Sequence, residues 1–513
     1  MRNPVAAALC GCIVSVLLAA PACAETLADA PSVTPSSLPR VGTVDARFLS
    51  YNIEMVEVTG GRFWRPYSSK PGAQPAPPRS GSDTAPGTDS NLFEYRPPID
   101  LADARLRKLA GALAPAYLRV SGTWANSTYF ADSDAAPAAP PTGFNGVLTR
   151  RQWRGVVEFS HAVDAEIVTS FAVSPGTRDA AGAWTPDQAR HLLAYTHAVG
   201  GSIAAAEFIN EPDLAALSAT PKGYDASAYG RDFATFRRLV REAAPDMMIL
   251  GPDTTGESTL ASDLLAASGP GIDALSYHYY RTLSERCGGK GSPQASLSED
   301  WLSRIDRVQN FYQALRDRLE PGKPIWLTET ADAACGGNPS AASFLDTFRY
   351  LDQLGRLAKA GVQVVMHNTL AASDYGLLDE RTLKPRPNYW GALLWRRLMG
   401  TTVLDAGVPA GSGLDVYAHC QRGTPGGVVV LVVNIDRDAP HALRLATASS
   451  RYTLDAASLL DADVRLNGRT LALGAGDELP DLAGVPTAAD RVTFQPLTIT
   501  FLAIPDAGNA ACR

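Results

Sequence analysis

Two short segments set a glutamate where an apolar run gives way to a loop. The first reads Phe208-Ile209-Asn210-Glu211-Pro212 and the second Ile325-Trp326-Leu327-Thr328-Glu329-Thr330. Two carboxylic acids facing one another across a cleft are equipped to split a glycosidic bond. One, kept protonated, assists the leaving oxygen; the other, ionised, attacks the anomeric carbon. Surroundings that push the two pKa values apart assign the roles. Asn210 is suited to hydrogen-bond a sugar hydroxyl, and Pro212 stiffens the chain at the strand exit. Taken singly, each glutamate also reads as an ordinary loop or strand-end carboxylate; together, at the ends of the appropriate strands, they favour the chemical reading. Asp213, Asp253, Glu257 and Asp332 are weaker candidates that read as polar rim. His278, followed by Tyr279 and Tyr280, is expected to hydrogen-bond Glu329 and orient it, and His367 to be structural. No grouping of His, Cys, Asp and Glu has metal-ligand spacing, and no nucleophile elbow or P-loop occurs, so neither metal nor cofactor is expected.

These acids need strands to carry them. Eight short runs rich in Val, Ile, Phe and Tyr occur at Arg47–Met55, Ala116–Gly122, Glu166–Val173, Ala206–Pro212, Met247–Asp253, Ala274–Tyr280, Pro324–Thr330 and Val362–Leu370. They are too short for helices and read as buried parallel strands. Between them, Leu101–Leu113, Gln152–Val163, Pro186–Val199, Tyr229–Ala243, Trp301–Leu319 and Ser343–Ala360 carry apolar residues at helical spacing. Eight strand–helix repeats predict a (β/α)8 TIM barrel over residues 46–400. An open doubly wound sheet would need a glycine-rich first turn, which Glu54-Met55-Val56 is not. Beyond residue 400 the helices cease. Leu414–Gln421, Gly427–Asn434, Ala442–Ala446, Arg451–Asp455 and Thr493–Ile504 read as strands of an antiparallel β-sandwich over 401–513, with an edge strand from the segment 30–45. Two Pro- and Ala-rich stretches, 71–90 and 131–141, follow the first two barrel strands and read as flexible loops on the face where barrel enzymes build their sites.

The chain has 513 residues, 45% hydrophobic and 19% charged, with a formal charge of −7. That apolar share fills large cores and excludes global disorder, and the length favours more than one domain. The acidic balance disfavours nucleic acid as a partner. Arg2, the apolar run Ala6–Ala20 and Ala22-Cys23-Ala24 form an export signal with cleavage after Ala24. No later run reaches membrane-spanning length. A secreted or periplasmic, monomeric protein is expected. Four cysteines remain beyond the signal, Cys287, Cys335, Cys420 and Cys512, and an even count in an exported chain suggests disulfides, with three pairings open.

In its ordered motifs the chain resembles the heparanase and β-glucuronidase family of retaining glycosidases, glycoside hydrolase family 79. The resemblance rests on Phe48–Glu54, Leu113–Thr123, Phe208–Asp213, His278–Tyr280, Gly322–Glu329, Tyr375–Glu380 and the closing Ala510-Ala511-Cys512. It implies that Glu211 is the acid/base and Glu329 the nucleophile. It further implies that Glu54 and Thr123 contact the sugar, and that Tyr280, Gly336, Gly337 and Tyr375 lie where the glucuronate carboxylate is held. The terminal motif, with Cys420 closing a sandwich strand, points to a Cys420–Cys512 disulfide; Cys287 and Cys335 follow neighbouring strands, and their pairing at the cleft rim is left open. The implied partner is a glucuronate-containing oligosaccharide or polysaccharide such as heparan sulfate. A local basic patch (Arg62, Arg65, Lys70, Arg281, Arg286, Lys290) would serve sulfated chains. A glycosidase of other sugar specificity on the same barrel is separated from this reading by the residues around Tyr280 and Tyr375. A non-catalytic glycan-binding protein would be expected to have lost one of the two carboxylates.

Overall fold

The computed structural model describes residues 30–68, 90–214, 217–293, 295–409 and 413–513. The proposed export signal and nearly all of the loop 71–90 lie outside them. Eight parallel strands close into a barrel in sequence order: β1 (Leu49–Glu54), β2 (Ala116–Ser121), β3 (Ala165–Ser170), β4 (Ile203–Glu207), β5 (Met248–Thr255), β6 (Ala274–Tyr280), β7 (Ile325–Ala331) and β8 (Val364–His367), the last pairing with the first. The fourth strand starts earlier than its sequence run and ends at Glu207, so Phe208–Pro212 is loop. The alanines of Ile203–Glu207 masked that strand, because their low strand propensity hid a position buried on both faces.

The intervening helices begin where side chains satisfy the first free N–H groups. Thr149 and Gln152 form a reciprocal capping box on Arg150–Ala162, and Asp103 and Asp225 cap Ala104–Gly111 and Ala226–Ala243. Helices at Leu260–Ser268 and Pro387–Leu398 had no counterpart in the sequence reading. The floor of the barrel is filled by Tyr117, Val168, Leu250, Trp326 and Met366, with the rings of Tyr117 and Trp326 at 4.8 Å. Since side chains on a strand alternate, Tyr117 pointing inward sends Arg119 inward too, one layer above the floor.

The C-terminal region forms a large sheet whose backbone order runs Arg40–Thr43, Met399–Leu404, Leu414–Gln421, Val428–Asn434, Thr498–Ile504 and Ser449–Asp455, with shorter strands beyond. A smaller sheet holds Ser32–Val33, His441–Leu445 and Asp490–Phe494. Its first pair is parallel, against the antiparallel expectation. The run Thr493–Ile504 is two strands in different sheets, split at Gln495-Pro496-Leu497, where proline offers no N–H and Leu497 has φ +53°. Val428–Val433 is apolar without alternation because both faces are covered: Val428, Val430 and Val432 pack into the sandwich, while Val429, Leu431 and Val433 pack toward the barrel. At the same junction Arg356 bonds Asp352, Asp306 and Glu299 at 2.8–2.9 Å and Asp415 at 3.4 Å. No helix among the described residues is long and apolar enough to cross a membrane.

Both cysteine pairs form, Cys287–Cys335 and Cys420–Cys512. The second encloses 92 residues and ties the C-terminus to the large sheet. Loop-closure entropy assigns such a bond about 4–5 kcal/mol. Peptide mapping without reduction should recover Cys420 and Cys512 as one cross-linked pair, and the double variant Cys420→Ser/Cys512→Ser should unfold at clearly lower denaturant. Free thiols at both positions would exclude the bond.

Candidate active site

Irregular backbone aims the two glutamates. Glu211 lies in the loop after β4 with φ +51°, a conformation costly for a side chain bearing a Cβ and concentrated at functional sites. Its neighbour Asn210 is clasped by Asn126, which donates to the Asn210 carbonyl (2.8 Å) and accepts from its N–H (3.0 Å). In β7 the register slips beside Thr328, so that Tyr277 faces Leu327 while His278 faces Glu329. The slip brings consecutive residues inward: the Thr328 hydroxyl donates to Asp253 (2.7 Å) and Glu329 enters the mouth. A bulge of this kind re-aims a side chain that strict alternation would bury in the wall.

Glu211, Glu329 and His278 each bring a polar atom within 4.8 Å of the others. Three donors reach the Glu329 carboxylate: Arg119 Nη1 at 2.9 Å, the Tyr280 hydroxyl at 2.5 Å and Asn368 Nδ2 at 3.5 Å. His278 differs from its expected role. Its Nδ1 lies 3.0 Å from Glu211 and 3.7 Å from Glu329, and its Nε2 lies 3.1 Å from Asp253. It therefore orients Glu211 from behind and, being fully buried, presents nothing to the cleft. The Arg119 Nη2 also lies 3.1 Å from Nε2, so carboxylates and a guanidinium share the ring's surroundings. Burial opposes a charge on the ring, but Asp253 and Glu329 outweigh it and raise the His278 pKa well above its ordinary value. Tyr280 also departs from expectation: its hydroxyl is committed to Glu329 and cannot at once hold a substrate carboxylate.

Burial pushes the Glu211 pKa up, opposed by its hydrogen bond to His278 and supported by nearby Glu329. Glu54 rises well above the carboxylate range through burial and then the proximity of Glu329. Asn368 donates to Glu54 Oε1 at 3.1 Å, whereas Glu54 Oε2 is buried without a protein partner. Gly122, at φ +91°, makes room for that carboxylate: a Cβ there would lie 1.4 Å from Oε2. Thr123 follows, half-buried at the rim.

Cys335, Gly336 and Gly337 run in succession at positive φ, and Gly337 abuts the Tyr375 backbone. The Gly336 carbonyl accepts from the Ser373 hydroxyl (2.9 Å) and the Asp374 N–H (3.1 Å), which joins this loop to the one carrying Tyr375. The buried Tyr375 accepts from Asn368 at 3.3 Å, and His367 Nε2 lies 2.7 Å from its carbonyl. Burial lowers the His367 pKa to about 4, so the neutral ring donates there in a structural role. The anticipated basic patch is brought together only in part, with Arg62 and Arg65 lining one groove. Arg281 is buried against the carbonyls of Trp301 and Leu302, Arg286 pairs with Asp374 at 2.7 Å, and Lys70 lies outside the described residues.

The reading from sequence missed Arg119. Fully buried, it bonds Glu207 through two nitrogens (2.9–3.1 Å), Asn210 (2.8 Å), Asp253 (3.3 Å) and Glu329. A charge inside the apolar run Ala116–Val120 was the available signal, since a buried arginine requires partners. Asn368 was equally visible as an amide within the eighth apolar run. Asp253, weighed as rim, is buried at the centre. The sets Glu207/Asp253/His278 and Glu211/His278/Glu329 have metal-like spacing and share His278.

Residues 98–355 match the model of the N-terminal domain of glycosyl hydrolase family 79. Heparanase from Mus musculus is 30% identical over 501 residues, covering 84% of this chain and 90% of that protein. The chain belongs to glycoside hydrolase family 79. A hyaluronoglucuronidase from Hirudo nipponia is 25% identical, covering 81% of this chain and 92% of its own. Among solved structures, a 4-O-α-L-rhamnosyl-β-D-glucuronidase from Fusarium oxysporum aligns at TM-score 0.62 and 13% identity, over 93% of this chain and 99% of that one. A family 51 α-L-arabinofuranosidase from Thermotoga petrophila aligns at 0.64 and 14%, over 92% and 99%. At such identities the structural likeness concerns the fold. The family 79 membership makes the chain a glycoside hydrolase.

Removing Arg119 from this hydrolase leaves Glu207, Asp253 and Glu329 buried together without their shared cation. Such a loss costs about 3–5 kcal/mol. Arg119→Ala should lower the unfolding free energy by that amount in urea titration; unchanged stability would show that the cluster does not rely on the cation.

Proposed function

We propose that this family 79 hydrolase is an exported, retaining β-glucuronidase that cleaves glucuronate-containing glycans through a covalent glycosyl-enzyme. The observation that carries the reading is the pair Glu211 and Glu329, with carboxylate oxygens within 4.8 Å at the barrel mouth. Retention uses carboxyl groups about 5–5.5 Å apart, whereas inversion needs about 6.5–9.5 Å to admit a water. Glu211, raised by burial, is the acid that protonates the leaving oxygen and then the base that activates water. Glu329, held by Arg119, Tyr280 and Asn368, is the nucleophile. Glu54 and Asn210 contact the sugar hydroxyls. Export is supported by the Ala22-Cys23-Ala24 pattern and the two disulfides. In this reading the barrel 46–400 carries the chemistry and 401–513, with 30–45, supports it.

Nucleophile and acid are separable by chemical rescue. Glu329→Gly should lose hydrolysis of an aryl β-glucuronide and regain turnover with azide, yielding the α-glycosyl azide. The β-azide would instead make Glu329 the acid/base.

The specificity reading rests on neutral donors. Glu54, Glu211 and Glu329 crowd the cleft with acids, so a substrate carboxylate needs donors of its own. The Tyr375 hydroxyl and the N–H groups of Gly336 and Gly337 serve this without a buried cation. Hydrogen bonds to a charged group contribute roughly 1.5–3 kcal/mol each. Tyr375→Phe should therefore lower kcat/KM for an aryl β-glucuronide roughly 10- to 100-fold and leave the weaker β-glucoside activity nearly unchanged. Equal losses on both substrates would remove Tyr375 from carboxylate recognition.

A further inference from the structure

The glucuronidase reading names one sugar; the wall beside the catalytic crevice bears on its neighbour in the glycan. A groove lies beside the site, between the loops that follow β1, β2 and β4. Trp124, Tyr95, Val56, Leu217, Ala138 and Pro140 are among its lining. Thr123, also in the lining, adjoins Gly122, against which the Glu54 carboxylate packs. Asn126, the clasp on Asn210, precedes the lining residues Ser127 and Thr128. The groove thus adjoins the backbone that packs against Glu54 and clasps Asn210.

None of the described residues lining the groove is charged. The nearby charges are occupied with one another: Arg150 bonds Asp132 at 2.7 Å, and Arg154 lies 3.8 Å from Asp134. On the far side of Tyr95, a second groove carries Arg62, Arg65, Arg96 and Arg381, but Glu94, Asp100, Asp103 and Glu380 line it as well, so it offers no excess positive charge. Trp124 forms an aromatic platform, packed at 5.1–6.4 Å from Phe63, Trp64 and Phe93.

We infer that this groove is the subsite for the sugar bonded to the glucuronate, and that it selects an uncharged residue, such as an N-acetylhexosamine without sulfate. The inference rests on the glucuronidase reading and extends it. An apolar sugar face stacks on an aromatic ring and lays its methyl groups on alanine and proline, whereas a sulfate there would shed water with no cation among the described lining residues to receive it.

Two tetrasaccharides of alternating glucuronate and glucosamine test it, one fully N-acetylated and unsulfated, the other N- and 6-O-sulfated. Each glucuronate is followed by the residue in question, and an aryl β-glucuronide serves as reference. The unsulfated compound should be cleaved with kcat/KM at least about tenfold higher, equivalent to about 1.4 kcal/mol. Trp124→Ala should raise its KM. Ala138→Lys, at an exposed position, should narrow the preference by drawing in the sulfated compound. Equal rates, faster cleavage of the sulfated compound, or a preference untouched by Ala138→Lys would overturn the inference while hydrolysis of the aryl glucuronide leaves the glucuronidase reading standing. Failure to split the aryl glucuronide would remove both.

Discussion

Arg119 sets a permanent positive charge at the centre of a barrel that gathers Glu54, Glu207, Glu211, Asp253 and Glu329 at one end. Carboxylates so close cannot all ionise in a medium that screens poorly. Burial pushes Glu54 and Glu211 up, and Glu207 to about 8, while the cations of Arg119 and His278 hold Asp253 low against its own burial. The same arrangement gives the two mouth glutamates unlike surroundings: Glu329 faces a guanidinium, Glu211 an imidazole. An acid/base pair needs that asymmetry, and it originates in a residue that does not touch the cleft.

Orientation is the second requirement, and the barrel meets it by breaking its own regularity. Regular parallel strands would point alternate residues outward and bring only some of these groups to one end. Register slips in β5 and β7 and positive φ at Glu211 and Asp253 accompany their inward placement. The surrounding framework sustains the strain. The C-terminal region contributes by packing its large sheet on the barrel helices, and the Arg356 cluster joins sheet and helices.

The rim loops are connected to one another more than to solvent. Cys287–Cys335 links the loops after β6 and β7, Gly336 links to Ser373 and Asp374 after β8, and Arg286 returns from Asp374 to the Tyr67 ring at 3.9 Å. Arg286, which the sequence offered as part of a surface for anions, instead holds this rim together.

Much of this was legible along the chain. The barrel followed from the spacing of eight apolar runs, because a strand buried on both faces must be apolar throughout its length. Glu211 and Glu329 stood out as acids closing such runs. Arg119 was equally exposed to view, yet its meaning was not: its partners come from β4, β5 and β7, and only closure of the barrel makes them neighbours. Likewise the assignment of His278 to Glu211 rather than Glu329 turns on a one-residue slip in β7. Local pattern records which residues are buried; which buried charges face one another depends on register and closure, which arise from contacts distant in sequence.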